Sequence, residues 1–121
     1  MSERFGIVDS GERKQWDSGM VREPDDGKPL YALIPIPFLR RVAIHMTRGA
    51  IKYSRDNWRQ ANSEDELQRM QDSAWRHFIA WADGQEDEDH MAALVFNLFA
   101  YEETKEKLRS QQASPRSAVP G

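Results

Sequence analysis

Carboxylate and imidazole side chains are concentrated in one short part of this chain. Residues 86–89 read Glu-Asp-Glu-Asp and directly precede His90, while His77 lies shortly before them. Magnesium prefers oxygen ligands and manganese also accepts imidazole, so this combination could hold either cation. A cation held there could bridge phosphate oxygens and lower the pKa of a bound water. The segment therefore predicts a candidate site for metal-dependent phosphate chemistry.

Helical spacing offers a way to bring these groups together. The residues that fall on one helical face by their spacing are Glu86, Asp89 or His90, Ala93 and Asn97. His77 lies roughly two turns before Gly84, which is expected to end the preceding helix. If the two helices pack antiparallel, His77 faces the start of the next helix and the polar groups converge on one point.

Simpler explanations exist for the same residues. An acidic run at a helix N-terminus is equally well explained as a solvated turn that the helix dipole stabilises. His77 follows Arg76 within an aromatic segment, where a lone histidine is usually a core or capping residue, and the acidic run is what favours a functional role. His45 has no acidic neighbour in sequence, and we interpret it as structural or surface.

Two further groups could bind a nucleotide. In the first, Arg48 and Lys52 could neutralise phosphates, while Tyr53, Asn57 and Trp58 could stack on a base or read its edge. This segment has no Gly-x-x-x-x-Gly-Lys pattern, and the alternative is that the tryptophan fills the core and the charges face water. In the second group, Arg22 and Lys28 lie on a turn-rich arm that could fold over an anion or could simply be solvated.

Three helices are predicted to position these side chains. The first begins near Pro35 or Pro37, because proline is tolerated in a first turn. The second begins at Ser63, which forms a capping box with Glu66, and ends at Gly84. The third runs from Glu86 to about Leu108, with its acidic residues in the first turn, and no strand is convincing.

The predicted fold is all-α: a small bundle of three to four helices with an irregular N-terminal arm. We expect a flexible segment over residues 1–17, a helical domain over 18–108 and a flexible tail over 109–121. Three helices from one short chain leave an apolar face that a second copy could cover, so we expect a homo-oligomer, either a dimer or a tetramer.

Composition excludes several classes of function. The chain has 121 residues, no cysteine and a formal net charge of -3, which fits one domain and argues against a general nucleic-acid binder. Because the chain has no cysteine, it can form no disulfide or zinc-thiolate site and has no cysteine nucleophile. No apolar run approaches the roughly 18 residues that span a bilayer, and the N-terminus has no signal-like apolar region, so we expect a cytoplasmic protein without membrane contact.

Several segments together carry a resemblance to a known family. They are Ser18-Gly-Met-Val-Arg-Glu-Pro24, Gly27-Lys-Pro29, Leu33-Ile-Pro35, Arg48-Gly-Ala-Ile-Lys-Tyr53, Asn57-Trp58, Ser73-Ala-Trp-Arg-His-Phe78, Asp87-Glu-Asp-His90 and Phe96-Asn97. In this order, from about Ser18 to Thr104, the chain resembles a phage-associated family, the dATP/dGTP diphosphohydrolase N-terminal domain. That family is similar to the all-α, MazG-like nucleoside triphosphate pyrophosphohydrolases.

The resemblance implies an enzyme that converts a purine dNTP to the monophosphate and pyrophosphate with magnesium or manganese, in the nucleotide-pool control of a phage-infected bacterium. The implied metal-binding residues are His77, Glu86, Asp87, Asp89, His90 and Asn97. The implied catalytic residues are His77, Glu86 and Asp89. The implied substrate-binding residues are Arg22, Lys28, Arg48, Lys52, Tyr53, Asn57, Trp58 and Arg76.

Two other functions compete with this hydrolase. The MazG-like pattern is Glu-Glu-x-x-Glu followed by Glu-x-x-Asp; residues 86–89 fit the second half, whereas the first half has no clean equivalent. This departure favours a non-catalytic nucleotide-binding or host-interaction module. An HD-type phosphohydrolase comes last, because such a site needs an adjacent His-Asp pair and further histidines, and this chain has 3 histidines.

Overall fold

The computed structural model describes residues 13–22 and 27–113. The chain divides between Ile34 and Pro35 into two units. Among the described residues, the first unit carries a short hairpin and a 3-10 turn at Tyr31–Leu33, and the second carries three α-helices. None of the helices in this part of the chain is long and apolar enough to cross a membrane. The prediction of a small all-α fold is confirmed.

The first unit contains a hairpin that the sequence prediction missed. Strands β1 (Lys14–Gln15) and β2 (Val21–Arg22) pair antiparallel. The Trp16 N–H donates to the Met20 carbonyl and the Gly19 N–H donates to the Trp16 carbonyl, both at 2.8 Å. Gly19 has a φ of +94°, which glycine adopts without a Cβ clash. Strands of two residues are too short to show the alternation by which a strand is recognised in a sequence.

Helix α1 (Ile36–Lys52) begins where the prolines predict, with Pro35 as its N-cap. It ends at Tyr53, whose N–H donates to the Gly49 carbonyl at 3.0 Å. A 3-10 turn, Asn57–Gln60, follows and is tied to the last helix by Arg59: its Nε lies 3.0 Å from Glu103 Oε2, and its carbonyl accepts from Lys107 Nζ at 2.7 Å. These contacts fix the turn relative to the last helix.

Helix α2 (Glu64–Ala82) begins with the predicted capping box. The Glu66 N–H donates to Ser63 Oγ at 3.2 Å, and Glu66 Oε1 accepts from the Asn62 N–H at 2.9 Å, one residue before the helix cap. At the other end Gly84 has a φ of +77°, and the Gln85 N–H reaches back to the Ala80 carbonyl at 3.0 Å. Both predicted ends of this helix are confirmed.

Helix α3 (His90–Ala113) differs from its predicted limits. It begins at His90 instead of Glu86, because the Asp89 carboxylate caps it by accepting the Ala92 N–H at 3.1 Å. Glu86 therefore precedes the helix, and the prediction that it shares a helical face with Asn97 is wrong. The helix continues to Ala113, so residues 109–113 are helical, and residues 1–12 and 114–121 of the predicted flexible ends lie outside the described residues.

Small side chains bring α3 close to its neighbours. Helix α3 packs against α2, against α1 and against the 3-10 turn Asn57–Gln60. Ala92, Ala93 and Ala100 are at most 1% exposed, and Ala74 of α2 is also buried. Because alanine extends only a methyl group from the backbone, the helices can approach closely, and most large apolar side chains remain at the surface. Among the residues that the structure describes, the buried polar ones are His90, Asn97 and Thr104.

The capping box gives a direct test of α2. Replacing Ser63 by alanine removes the acceptor for the Glu66 N–H, so we expect the free energy of unfolding to fall by about 1 kcal/mol in urea titrations. Ser110→Ala, an exposed change within α3, is the matched control and should leave stability unchanged or slightly raised. An equal loss in both variants would contradict the capping role.

Candidate functional site

A groove lies between α1 and the residues that lead into α3. Its volume is about 1080 Å³. One wall is the second half of α1 with the loop and 3-10 turn that follow it, and the other is formed by Asp87, Glu88, Asp89 and Phe96. The predicted nucleotide-binding residues that line it are Arg48, Lys52, Tyr53, Asn57 and Trp58. The structure therefore brings the basic segment and the acidic segment to one groove.

The basic wall has a regular helical origin. Arg41, His45, Arg48 and Lys52 follow one another at intervals of three and four residues along α1, and all four line the groove. The apolar stripe of this helix predicted its packing face, and His45, with no acidic neighbour in sequence, was expected to be structural or at the surface. The opposite, polar stripe was the signal that could have identified Arg41 and His45 as groove residues.

His77 and His90 meet across the interface of α2 and α3, as the antiparallel arrangement predicted. Their Nδ1 atoms are 2.9 Å apart, and His90 Nε2 lies 2.8 Å from Asp87 Oδ1. An ionised carboxylate only accepts, so His90 donates from Nε2, and a neutral His90 then accepts at Nδ1 the N–H of His77. This assignment of tautomers follows from the hydrogen bonds. The result is a chain of donors that runs from His77 through His90 to Asp87.

Two pKa values in this chain depart from their ordinary range. Burial lowers the pKa of the His77 imidazole, although the charge of Glu88 opposes the effect. The hydrogen bond from His90 lowers the pKa of the Asp87 carboxyl. Near neutral pH, both shifts favour a neutral His77 and an ionised Asp87, which are the forms that the donor chain requires.

Asp87, Glu88 and His90 form a possible metal-binding group. Each offers one ligand atom, and these atoms lie within 4.8 Å of one another. The His90 side chain is buried, whereas Asp87 and Glu88 are exposed. An ion could therefore reach the group from the solvent on the carboxylate side. Glu88 was not among the predicted site residues, although it belongs to the same acidic run, residues 86–89. Because consecutive acids all look alike in the sequence, the sequence does not indicate which of them bind a metal.

Asp89 makes a different set of contacts from its neighbours. Arg41 approaches it with two nitrogens, Nε at 2.8 Å from Oδ2 and Nη2 at 2.7 Å from Oδ1. This bidentate contact holds the pKa of the Asp89 carboxyl at about 2. Asp89 Oδ1 also accepts the Ala92 N–H and so caps α3. Asp89, which was predicted as a metal ligand, therefore links α1 to the start of α3.

Aromatic rings close one side of the groove. Phe96 lies 5.4 Å from the ring of His45 and meets Trp58 edge to face at 5.9 Å, measured between ring centroids. Burial lowers the pKa of His45, which favours its neutral, aromatic form. The groove thus combines an aromatic surface with cations and carboxylates, a combination suited to a molecule with a flat base and an anionic chain.

Comparison with known proteins identifies the family. Residues 18–114 match the family described as dATP/dGTP diphosphohydrolase, N-terminal. The chain belongs to this family. The match covers α1 and α2 entirely and α3 to its last residue, and it confirms the predicted resemblance. Neither the curated proteins nor the solved structures contain a match to this chain.

Not every predicted site residue of this diphosphohydrolase-family chain lies in the groove. Glu86 is outside the group formed by Asp87, Glu88 and His90, and Arg76 is exposed on α2. Asn97 is buried, and its Nδ2 donates to the Ala93 carbonyl at 2.8 Å. Arg22 and Lys28 belong to the first unit, inside the segment that matches the family.

The contact between Arg41 and Asp89 predicts a pH dependence of stability. The pKa of Asp89 is about 2 in the folded protein, below the ordinary 3.8, so folding favours the ionised form. The stabilisation is present above pH 4 and is lost as the pH falls from about 4 towards 2. Urea titrations should show Asp89→Asn less stable than wild type at pH 7, with the difference shrinking in that window. A difference that stays constant down to pH 2 would contradict this account.

Proposed function

We propose that this chain hydrolyses dATP and dGTP to the monophosphate and pyrophosphate. The observation that carries the proposal is a groove in which a basic helical stripe and an aromatic surface meet Asp87 and Glu88, two members of the group that the buried His90 completes. The chain's place in the dATP/dGTP diphosphohydrolase N-terminal family supports the same substrate class. In biological terms we propose nucleotide-pool control in the cytoplasm of a phage-infected bacterium.

The triphosphate would lie against α1. Arg48 and Lys52 are exposed, line the groove and stand one turn apart on the same helical face. A guanidinium can bind two phosphate oxygens at once, and a lysine adds a mobile point charge. Arg55, in the loop after α1, adds a third cation to the same wall.

The purine base would occupy the aromatic end of the groove. Trp58 is partly buried and contacts Phe96 edge to face, and the Arg59 guanidinium lies 4.8 Å from its ring centroid, so a base would stack on the ring face opposite Arg59. Asn57 stands beside it with an amide that can both donate to and accept from a base edge. Tyr53 follows Lys52, whose Nζ lies 5.3 Å from the tyrosine ring, so a phosphate contact and an aromatic contact are adjacent there.

The donor set fits a magnesium or manganese ion. His90 Nε2 and Asp87 Oδ1 are 2.8 Å apart because the imidazole N–H donates to the carboxylate, and an ion that replaced this proton would meet a nitrogen and an oxygen that are already adjacent. Asp87, Glu88 and His90 would hold the ion, which when bound would polarise phosphate oxygens and acidify a water molecule. Binding of the ion would displace the proton from His90 Nε2, and His90 would then donate its Nδ1–H to His77 Nδ1, the reverse of the direction in the metal-free chain of donors. An N–H donated by the second ring nitrogen is common behind a metal-binding histidine.

The remaining predicted residues take secondary places in this proposal. We propose Glu86 as an acid that adds negative charge beside the group and Asn97 as a residue that supports the start of α3 through Ala93. Arg22, Lys28 and Arg76 are proposed as further phosphate contacts, and the support for them is their position within the segment that matches the family.

We propose that a second copy of the chain covers the aromatic surface of α2. Trp75, Phe78 and Trp81 follow at helical spacing with ring centroids 6.1 and 6.0 Å apart, and Trp75 is 60% exposed. Leu98 and Phe99 of α3 are exposed as well. Contiguous exposed apolar surface of this kind is typical of association interfaces, and the alanine-rich core leaves large side chains available for one.

The activity is tested by incubating the purified chain with each dNTP and magnesium or manganese and separating the products by chromatography. We expect deoxynucleoside monophosphate and pyrophosphate from dATP and dGTP, and loss of turnover in Asp87→Asn. Arg48→Ala should lower kcat/KM roughly tenfold, since it removes a charged contact to phosphate. Arg40→Ala, an exposed neighbour that does not line the groove, is the matched control.

The same experiment separates the competing functions. The absence of any product from folded protein, with either metal, would contradict the hydrolase and favour a non-catalytic module. Release of triphosphate or of a single phosphate would contradict the proposed bond cleavage and favour the HD-type alternative. An equal loss of activity in Arg40→Ala and Arg48→Ala would remove the basis for placing the phosphates against the groove wall.

Association is tested by light scattering on the eluate of a size-exclusion column. We expect wild type to elute as a dimer or tetramer and Trp75→Glu as a smaller species, because the charge would be buried against apolar side chains. Ile51→Glu, at an apolar site near the end of α1 that is 79% exposed, is the control and should keep the wild-type mass. A monomeric wild type at about 100 µM, well above the Kd of a stable dimer, would contradict the proposal.

A further inference from the structure

We infer that Arg41 and Asp89 are a positioning pair that fixes the metal-binding turn, and that Asp89 is not itself a metal ligand. The inference rests on the metal group of Asp87, Glu88 and His90 proposed above. It assigns separate tasks to two carboxylates that are nearly adjacent in the chain. Asp87 would bind the ion, whereas Asp89 would hold the backbone that carries the ligands.

The contacts of Asp89 leave it little capacity for another partner. Its Oδ2 accepts from Arg41 Nε at 2.8 Å, and its Oδ1 accepts both Arg41 Nη2 at 2.7 Å and the Ala92 N–H at 3.1 Å. A carboxylate offers about four lone-pair positions, so three of them are already used. A cation at Asp89 would also stand beside the permanent positive charge of the guanidinium, which would repel it.

The position of the pair explains what it can control. Asp89 stands between Glu88 and His90, two members of the metal group, and caps the helix that begins at His90. Arg41 lies on α1, the helix that also carries Arg48 and Lys52. The pair therefore joins the phosphate-binding wall of the groove to the metal-binding wall and sets the spacing between them.

The pair can be removed without expecting the protein to unfold. The Arg41 side chain is 43% exposed and that of Asp89 is 28% exposed, and partly exposed ion pairs contribute little to stability. The buried core residues Val42, Leu67, Ala74 and Ala93 take no part in this contact. Metal affinity can therefore be measured in folded variants.

The test is titration of the full chain with Mn²⁺, followed by the loss of the electron paramagnetic resonance signal of the free ion. We expect Arg41→Ala and Asp89→Asn each to weaken Mn²⁺ binding roughly tenfold, as is typical when a residue behind a ligand is lost. The double variant should be no weaker than either single variant, because both changes break the same contact. Arg41→Lys should fall between wild type and Arg41→Ala, since lysine keeps the charge but not the bidentate contact.

The sign of the Arg41→Ala effect is decisive. If Asp89 were a ligand, removing Arg41 would free its carboxylate, and Mn²⁺ would bind as tightly as in wild type or more tightly while Asp89→Asn lost affinity; that result would overturn the inference. Unchanged affinity in both variants would overturn it too. Arg40→Ala should behave as wild type, and circular dichroism with urea titration confirms folding of each variant.

Failure of the inference can be distinguished from failure of the proposed function. Wild type that binds no Mn²⁺ would overturn the metal group, and the positioning role with it. Wild type that binds Mn²⁺ and loses it in Asp87→Asn, but not in Arg41→Ala, would leave the metal group intact and overturn only the positioning role. The signal of the ion reports on binding alone, so neither outcome depends on turnover.

Discussion

The close approach of α2 and α3 is the constraint on which the rest of the structure depends. Ala74 of α2 and Ala93 and Ala100 of α3 are buried, and their small side chains allow the two helices to pack at short range. Across this interface the Nδ1 atoms of His77 and His90 lie 2.9 Å apart. A larger side chain along this seam would separate the histidines, and the donor chain to Asp87 would be broken.

The interface of α2 and α3 also explains which side chains are buried and which are exposed. Because alanines fill the interface of the helices, the aromatic residues of α2 have no place inside and lie exposed. The polar stripe of α1 faces the groove, and the acidic turn closes its other wall. A chain with a modest core can thus present both a polar groove and an exposed apolar surface.

The sequence predicted the helices well and the acidic turn less well. Proline at the start of α1, the Ser63 capping box and the Gly84 terminus are local signals, and each helix end follows from the residues that form it. The start of α3 is different. Several acids in a row could each cap the helix, and Asp89 does so because Arg41, distant in sequence, fixes its carboxylate. Such a tertiary contact leaves no periodic signal.

The same limit applies to the candidate site. The antiparallel packing of two helices was enough to predict that His77 faces the start of α3. It was not enough to choose Glu88 over Glu86, or to see that His45 and Arg41 share a face with Arg48 and Lys52. The first of these needs three-dimensional positions. The second needed only the polar stripe of α1, which is visible in the sequence once the helix is known.

The central claim is that one groove binds both the cation and the phosphates. It is tested most directly by a crystal structure with Mn²⁺ and a non-hydrolysable dGTP analogue, in which anomalous scattering locates the ion. We expect an ion bound by Asp87, Glu88 and His90, with the phosphates in contact with Arg48 and Lys52. An ion bound elsewhere on the chain, or a nucleotide outside the groove, would contradict it.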